Sequence, residues 1–261
     1  MSKVMVTGAG GSIGSELCRQ ILHCEPTVLV LFELSEFGLY SIEQELNAQI
    51  KQRELDIQLV PVMGTVQRRN RLETVMQAFK VQTVYHAAAY KHVPMMELNP
   101  AEAVQTNVKG TKILADLSLS FGTKKFIMIS SDNDVNPTNV MGASKRIAEM
   151  YVQKLNEQHI TQFITTRFGN VLGSNGSIVP LFTKQIQEGG PLTITHPEII
   201  RYFMTIPEAC QLVLEAGAMG NGGEIYIFDM GEPVKIIDLA KKMIRLAGFV
   251  PDNEIKIKII G

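Results

Sequence analysis

The sequence predicts an α/β fold in which a doubly wound parallel sheet is followed by a smaller C-terminal lobe. Three observations indicate this. Short apolar runs alternate with amphipathic stretches through residues 1–166, as strands and helices do in such a sheet. A glycine-rich loop follows the first apolar run. Beyond residue 166 the alternation gives way to shorter segments separated by Gly, Pro, Ser and Asn.

The first strand is predicted over residues 3–7, and it runs directly into a GxxGxxG loop that opens a helix. Glycines in such a loop allow a tight turn and a close approach of the backbone to a pyrophosphate, which then faces the helix N-terminus. The context makes this a Rossmann-type loop, although its spacing is not the usual GxGxxG. We therefore predict that the loop residues bind a dinucleotide. These are Gly8, Gly11, Ser12, Ile13 and Gly14.

Glu33 follows the second predicted strand, residues 28–32, and lies about 20 residues after the glycines, the usual distance for a ribose-binding acid. A carboxylate there accepts hydrogen bonds from the adenosine ribose and repels a 2′-phosphate, which favours NAD over NADP. The alternative is that Glu33 caps the helix starting at Ser35.

The remaining elements before residue 167 continue the alternation. Helices are predicted over 35–51, 72–79, 100–121 and 140–156, and strands over 55–62, 83–86, 126–129 and 161–167. Thr65 and Val66 follow the third strand, where an adenine edge is expected. Ala87 and Ala88 follow the fourth, where small residues let a dinucleotide lie against the backbone.

The central stretch, residues 126–146, is predicted to hold the reaction centre. A buried strand leads into the polar run Ser130-Ser131-Asp132-Asn133-Asp134, and chemistry in a parallel sheet lies at the carboxyl ends of strands. Met141 and Lys145 follow at i and i+4 on one face of the next helix. Lys91 and His92, after the fourth strand, are predicted to face a sugar, with a solvated loop as the alternative.

The change of pattern after residue 166 predicts two domains, 1–166 and 167–261, with a cleft between them. The second carries helices over 177–188, 207–218 and 236–247 and extended segments over 192–195, 225–229 and 255–260. Because the last of these has no terminal element to cover it, we expect the native protein to continue beyond this segment.

The composition excludes several classes of function. A formal net charge of −1 gives no electrostatic reason to expect nucleic acid or an anionic membrane as partner. Three scattered cysteines and five histidines lack the spacing of a disulfide framework or a metal site. No apolar run reaches the ~18 residues of a membrane span, and no signal peptide is evident. We therefore expect a cytoplasmic segment without membrane contact.

Five motifs together resemble the nucleotide-sugar 4,6-dehydratases of the extended short-chain dehydrogenase/reductase superfamily. They are GAGGSIGSE from Gly8, HAAAYKHVP from His86, NPTNVMGASK from Asn136, RFGNVLGSNGSIVP from Arg167 and RYFMTIPEA from Arg201. The likeness covers essentially the whole chain and is strongest to the long, membrane-anchored kind that acts on UDP-N-acetylglucosamine in bacterial capsule, O-antigen and protein-glycan biosynthesis. It implies a cytoplasmic catalytic domain, which the family often assembles as a homo-oligomer.

The resemblance implies a reaction and a cofactor. NAD oxidises carbon 4 of the sugar, a base removes the proton on carbon 5, an acid protonates the departing 6-hydroxyl, and the hydride returns to carbon 6. The product is a UDP-4-keto-6-deoxy amino sugar.

The resemblance also implies residue roles. Asp132 matches the general acid, Lys145 the lysine that holds the nicotinamide ribose, and Ser131 a hydroxyl near carbon 4. Met141 stands where the superfamily has its tyrosine, as is normal in this subfamily. Contacts with the UDP moiety are expected from Arg167, Asn170, Ser177 and Arg201.

One position departs from the family pattern. Asn133 replaces the lysine expected to accept the carbon 5 proton, and an amide has no useful basicity near neutral pH. Asp134, a carboxylate one position on, is a candidate replacement. Three hypotheses stay open: a 4,6-dehydratase with an altered base, a UDP-sugar 4-epimerase or 4-oxidoreductase that needs no carbon 5 base, and an impaired domain that binds NAD and UDP-sugar without efficient turnover.

Overall fold

The computed structural model describes residues 2–131, 137–174 and 176–260. Its contacts group the chain into two compact units. The first comprises Met1–Phe168 and Cys210–Phe228, and the second Gly169–Ala209 and Asp229–Gly261. The assignment of these regions to NAD and to the nucleotide sugar stays a prediction.

The first unit is built on a seven-stranded sheet in which every pair of neighbouring strands is parallel. Its strands are β1 (Lys3–Thr7), β2 (Val28–Glu33), β3 (Gln58–Met63), β4 (Thr83–His86), β5 (Lys125–Ser131), β6 (Gln162–Phe168) and β11 (Ile225–Ile227). The spatial order is β11-β6-β5-β4-β1-β2-β3. The predicted doubly wound parallel sheet is therefore confirmed.

Helices follow most of these strands. They are α1 (Ser12–His23), α2 (Glu36–Gln52), α3 (Arg69–Phe79), α4 (Val93–Leu98), α5 (Pro100–Ala103), α6 (Thr111–Ser120), α7 (Val140–Asn156) and α9 (Ile206–Met219). The sheet is apolar on both faces, because helices cover both sides. One core cluster contains Met5, Phe32, Phe126 and Phe163, all at most 1% exposed.

The second unit has short strands and two helices around its own core. Its elements are β7 (Asn170–Val171), α8 (Ile178–Gln187), β8 (Leu192–Ile194), β9 (Ile200–Arg201), β10 (Phe203–Met204), β12 (Val234–Lys235), α10 (Ile236–Leu246) and β13 (Ile257–Ile259). The strands form three two-stranded sheets, β7 with β10, β9 with β12 and β8 with β13. Phe182, Ile194, Ile236 and Ile244 pack in the core.

Three of the elements that differ from the sequence prediction bear on the domain division or on the site. The helix expected over 207–218 was assigned to the smaller lobe, but most of α9 belongs to the first unit, which includes Cys210–Phe228. The extended segment near 225–229 was expected in the smaller lobe, but β11 extends the main sheet because Ile225 pairs with Thr165 of β6. The single helix expected over 100–121 is interrupted by a π-helical turn, Val104–Gly110. Gly110 lies where a Cβ would come within 2.6 Å of Val66 Cγ2, so the turn packs closely against the loop after β3.

The strand order reverses between β1 and β4, which are neighbours in the sheet. From β1 the chain continues to β2 and β3 on one side, and from β4 it continues to β5 and β6 on the other. In open α/β sheets, ligands bind in the crevice at the carboxyl ends of the strands flanking such a switch point. Gly8 follows β1 and Ala87 follows β4. These two loops therefore mark where the site is expected.

Candidate active site

The loops after β1 and β4 are in direct backbone contact. Gly8 has a φ of +70°, and a Cβ built on it would lie 2.8 Å from Ala88 N and 2.9 Å from Ala87 C. A side chain at residue 8 would be strained by the positive φ and blocked by the neighbouring backbone. The predicted residues Gly8, Ala87 and Ala88 are thus brought together at the switch point.

The glycine loop leaves no room for side chains at two further positions. A Cβ on Gly14 would lie 1.9 Å from Gly8 O, and one on Gly10 would lie 2.7 Å from the carbonyl carbon of Gly38 in α2. The contact between Gly10 and Gly38 was missed by the sequence prediction. The one sequence feature that could have indicated this contact is the extra glycine of the loop, Gly10. No feature near residue 38 in the sequence identifies Gly38 as its partner.

Helix α1 begins at Ser12, after Gly11, and has no acidic residue in its first turn. The partial positive charge of a helix N-terminus is therefore not offset by a carboxylate of that turn. Such an N-terminus is suited to phosphate. Ser12 and Ile13, both predicted to bind the dinucleotide, lie in this turn.

Glu33 ends β2 and holds three backbone amides. Its Oε2 accepts the Gly10 N–H at 2.8 Å, and its Oε1 accepts the N–H groups of Leu34 and Ser35, each at 2.8 Å. A carboxylate offers about four acceptor positions, so one on Oε2 is left among the described residues. The capping alternative for Glu33 is wrong, because Ser35 caps α2 by accepting the Gly38 N–H at 3.1 Å. The remaining position on Glu33 can accept a ribose hydroxyl.

The loop after β3 is fixed to the π-helical turn. Val66 is 3% exposed and packs on Gly110, and Gln67 Nε2 donates to Thr106 Oγ1 at 2.8 Å. Thr65 Oγ1 accepts the Gln67 N–H at 3.3 Å. These contacts hold the loop that carries Thr65 and Val66 against the π-helical turn, and the contact of the two residues with adenine stays a prediction.

His86 joins three elements beneath this crevice. Its Nδ1 lies 2.7 Å from Thr7 Oγ1 and its Nε2 lies 2.8 Å from Thr111 Oγ1. Burial, together with the charge of Lys145, lowers the pKa of His86 from 6.5 to about 4. The imidazole is therefore neutral at physiological pH. The sequence prediction used His86 only as part of a motif.

This low pKa predicts a pH dependence of stability. The unfolded chain binds a proton near pH 6.5, whereas folded His86 binds it only near pH 4, so stability is lost as the pH falls through that window. With about 1.4 kcal/mol for each pH unit, the unfolding free energy is expected to fall by about 3 kcal/mol from this group. Urea unfolding of the wild type and His86→Asn at several pH values measures the difference.

Exposed His159, with a φ of +53°, supplies a matched control, because asparagine tolerates that conformation. His159→Asn is expected to retain the wild-type slope of stability against pH. An unchanged slope in His86→Asn would contradict the assignment.

Asn107, in the π-helical turn, connects the loop after β4 to helix α7. Its Oδ1 accepts the Tyr90 N–H at 2.8 Å, and its Nδ2 donates to Tyr90 O at 3.0 Å and to Ser144 Oγ at 2.9 Å. Tyr90 precedes Lys91 and Ser144 precedes Lys145. One buried amide therefore fixes the backbone next to both lysines. The sequence placed Asn107 in a helix but gave it no role.

The two lysines lie close enough to interact. Lys145 is 8% exposed, whereas Lys91 and His92 are exposed on the loop that leads into α4. Desolvation, and then the charge of Lys145, lower the pKa of Lys91. The loop after β4 thus places Lys91 near Lys145 of α7, whereas His92 lies at the N-terminus of α4.

Met141 is buried in an apolar cluster with Met96 and Ala103. Its side chain is 4% exposed. Helix α7 begins at Val140, where Asn139 caps it by accepting the Gly142 N–H at 2.8 Å. The structure therefore shows Met141 packed in an apolar cluster. A thioether has no proton to donate or accept, so this side chain cannot act as an acid or a base.

Arg167 does not point to open surface. Its Nε donates to Glu149 Oε2 at 3.1 Å, and its Nη2 donates to Glu149 Oε1. Glu149 is fully buried and also accepts from Arg146 Nη1 at 2.8 Å and Ser130 Oγ at 3.4 Å. The structure therefore places Arg167 in a buried ion pair between α7 and the end of β6. Its contact with the UDP moiety stays a prediction.

The polar run after β5 is described only in part. Ser131 is the last residue of β5 and pairs with Phe168 of β6. The predicted catalytic residues Asp132 and Asn133, and the candidate base Asp134, lie outside the described residues. Their roles stay predictions.

Three predicted substrate residues belong to the second unit. Asn170 pairs with Phe203 across β7 and β10. Ser177 precedes α8, and its buried Oγ has no hydrogen-bond partner among the described residues. Arg201 is exposed and donates through Nη1 to Ile200 O at 2.9 Å. Their contacts with UDP stay predictions.

Within the described part of the chain, no cluster of three or more His, Cys, Asp or Glu side chains could hold a metal ion. The helices described are all too short or too polar to cross a membrane.

The chain belongs to a family described as polysaccharide biosynthesis proteins, whose pattern matches residues 4–261. It is 56% identical over 246 residues to the capsular polysaccharide biosynthesis protein CapD of Staphylococcus aureus, covering 94% of this chain and 41% of that protein. The chain therefore spans about two fifths of that relative.

Two more distant relatives carry different names. The chain is 33% identical over 242 residues to the UDP-N-acetylglucosamine 4,6-dehydratase (inverting) of Campylobacter jejuni, covering 91% of this chain and 69% of that one. It is 31% identical over 256 residues to the UDP-glucose 4-epimerase of Rickettsia rickettsii, covering 97% and 72%.

Among solved structures, Pen from Bacillus thuringiensis matches with a TM-score of 0.88 and 32% identity, covering 100% of this chain and 78% of that one. This likeness agrees with the short-chain dehydrogenase/reductase architecture predicted from the motifs.

Proposed function

We propose that the chain is the catalytic domain of an NAD-dependent UDP-N-acetylglucosamine 4,6-dehydratase that makes a UDP-4-keto-6-deoxy amino sugar for bacterial surface polysaccharide or glycan biosynthesis. The observation that carries the proposal is the switch-point crevice. There a glycine loop without room for a Cβ at Gly8, Gly10 and Gly14, the carboxylate of Glu33 bonded to that loop, and the buried Lys145 of α7 occur in one unit. The dehydratase relative supports the choice of reaction.

The residues present fit NAD. The tight turn needs glycine at residues 8 and 14, because a Cβ at either position would clash with neighbouring backbone. The N-terminus of α1 is suited to the pyrophosphate, and Glu33 keeps an acceptor position for the adenosine ribose. The carboxylate of Glu33 also disfavours a 2′-phosphate. When bound, NAD supplies reversible hydride transfer.

The protein's own groups carry the remaining steps of the proposed reaction. Lys145 holds the nicotinamide ribose, and Ser131 offers a hydroxyl near carbon 4 of the sugar. Asp132 donates a proton to the 6-hydroxyl as water leaves, and Asp134 is the candidate acceptor for the carbon 5 proton. Lys91, His92, Asn170, Ser177 and Arg201 are proposed to bind the UDP-sugar.

A UDP-sugar 4-epimerase is the second candidate. Asn133 favours it, because epimerisation at carbon 4 needs hydride transfer but no base for carbon 5, and an amide cannot act as that base. The epimerase relative supports it as well. The two candidates differ in the product, since an epimerase retains the 6-hydroxyl.

Incubation with UDP-N-acetylglucosamine in deuterated water tests the proposal. A dehydratase is expected to give a 4-keto-6-deoxy product with deuterium at carbon 5, read by mass and proton spectra. A 4-epimer that keeps its 6-hydroxyl would support the second candidate. Saturable binding with unchanged substrate would contradict both and identify an impaired domain.

A further inference from the structure

A buried cluster of charge lies at the carboxyl edge of the sheet, next to the reacting stretch. It consists of Glu149 on α7, Arg167 at the end of β6, Arg146 on α7 and Ser130 near the end of β5, and is called here the Glu149 cluster. Glu149 is 0% exposed and Arg167 6%. Neither the glycine loop nor the NAD chemistry uses these groups.

Burying such a cluster is expensive. Taking a carboxylate and a guanidinium out of water carries a large desolvation cost for each ion, and apolar residues of similar volume are often at least as stabilising in their place. Stability alone is therefore a weak reason for the cluster. Its geometry is specific, because a bidentate guanidinium fixes both the distance and the direction of its partner.

The elements joined by the cluster carry the proposed catalytic groups. Ser130 precedes Ser131 and lies two positions before Asp132, and Glu149 lies one helical turn after Lys145 on α7. The carboxylate of Glu149 therefore links the strand that ends at Ser131 to the helix that carries Lys145. Arg167 connects Glu149 to the adjacent strand β6 as well. In the pairing of β5 with β6, Arg167 is the residue opposite Ser130.

We propose that Glu149 is a positioning residue for this reaction centre: its bonds to Ser130 and Arg167 fix the end of β5 and the first turns of α7 relative to each other. This inference rests on the proposed function. Glu149 does not touch the reacting atoms, and it acts by holding Ser131 and Lys145 in register.

The test compares Glu149→Gln with a matched control, Glu45→Gln. Glu45 makes an equally bidentate pair with Arg19, at 2.6 and 2.9 Å, but on the surface between α1 and α2 with 40% of its side chain exposed. With UDP-N-acetylglucosamine, kcat of Glu149→Gln is expected to fall about 100-fold, the loss typical of a misplacement near 1 Å, with KM within about threefold. Glu45→Gln is expected to keep both constants.

Amide hydrogen exchange supplies a readout that does not depend on turnover. In Glu149→Gln, exchange is expected to accelerate in peptides covering 126–131 and 140–149, while β1 and β2 keep wild-type rates. Equal acceleration in all strands would show a structural role only and overturn the proposal. So would wild-type kcat in a folded Glu149→Gln variant. If the wild type turns over no nucleotide sugar, the proposed function fails, and the exchange pattern still decides the role of Glu149.

A double variant, Glu149→Met with Arg167→Met, covers the case in which Glu149→Gln does not fold. It removes the charges of Glu149 and Arg167 together, so neither is left buried without the other. Arg146, which also loses its contact with Glu149, is 33% exposed and can be solvated, so a folded protein is expected. We expect it to remain slow, with local acceleration of exchange at the end of β5. Recovery of wild-type kcat and exchange rates in this variant would overturn the proposal.

Discussion

Replacing Asn133 with lysine is expected to raise the rate of UDP-N-acetylglucosamine dehydration by up to about 10²–10⁴-fold, the range that a general base typically contributes, because the carboxylate of Asp134, the proposed acceptor, is a weaker base than an amine. This corresponds to roughly 3–5 kcal/mol of activation free energy. The reason is chemical: a lysine amine can accept the carbon 5 proton, whereas the amide of Asn133 cannot. Steady-state kcat of Asn133→Lys and the wild type gives the comparison.

The neighbouring carboxylate supplies the control. If Asp134 serves as the base in the wild type, Asp134→Asn loses exchange of the carbon 5 proton with solvent, and adding Asn133→Lys to it restores that exchange. Asn133→Gln keeps an amide and is expected to leave kcat unchanged within a few-fold. A folded Asn133→Lys protein with no gain in rate would contradict the assignment of position 133 as the missing base.

Gly14→Ala is expected to weaken NAD binding at least tenfold and to lower stability by about 1–3 kcal/mol, as overpacking typically does. The added Cβ would lie 1.9 Å from Gly8 O, so the loop and the first turn of α1 must separate. That movement displaces both the turn and the helix N-terminus that are suited to phosphate. Calorimetric titration with NAD and thermal unfolding measure the two effects.

Gly11→Ala provides the graded comparison for stability. A Cβ on Gly11 would lie 3.2 Å from the same Gly8 O, a contact that a small backbone adjustment relieves. Its unfolding temperature is therefore expected to lie closer to that of the wild type. Wild-type NAD affinity and stability in Gly14→Ala would show that the loop geometry described here is wrong.

Local features of the sequence were sufficient to predict the sheet and the dinucleotide loop. The alternation of apolar runs and amphipathic stretches is typical of a parallel sheet that is buried on both faces. The glycines indicate backbone positions that have no room for a Cβ. Both signals lie within a few residues of the feature they predict. The contact of Gly8 with Ala87 and Ala88 follows from the adjacency of β1 and β4.

Features that depend on distant partners were not predictable in this way. Strand β11 reaches the sheet by pairing with β6, about 60 residues earlier in the chain. Arg167 suggests a phosphate ligand when read alone, and only the fold brings Glu149 to it. Asn107 likewise forms hydrogen bonds to both Tyr90 and Ser144 from within the π-helical turn. No pattern of apolar residues in the sequence predicts such a turn.

The most direct test of the proposed reaction follows the hydride itself. UDP-N-acetylglucosamine carrying deuterium at carbon 4 is incubated with the protein, and the position of the label in the product is read by proton and deuterium spectra. A 4,6-dehydratase is expected to deliver the deuterium to carbon 6 of a 4-keto-6-deoxy product. Deuterium that remains at carbon 4 of a product or substrate with an intact 6-hydroxyl would contradict the dehydratase assignment.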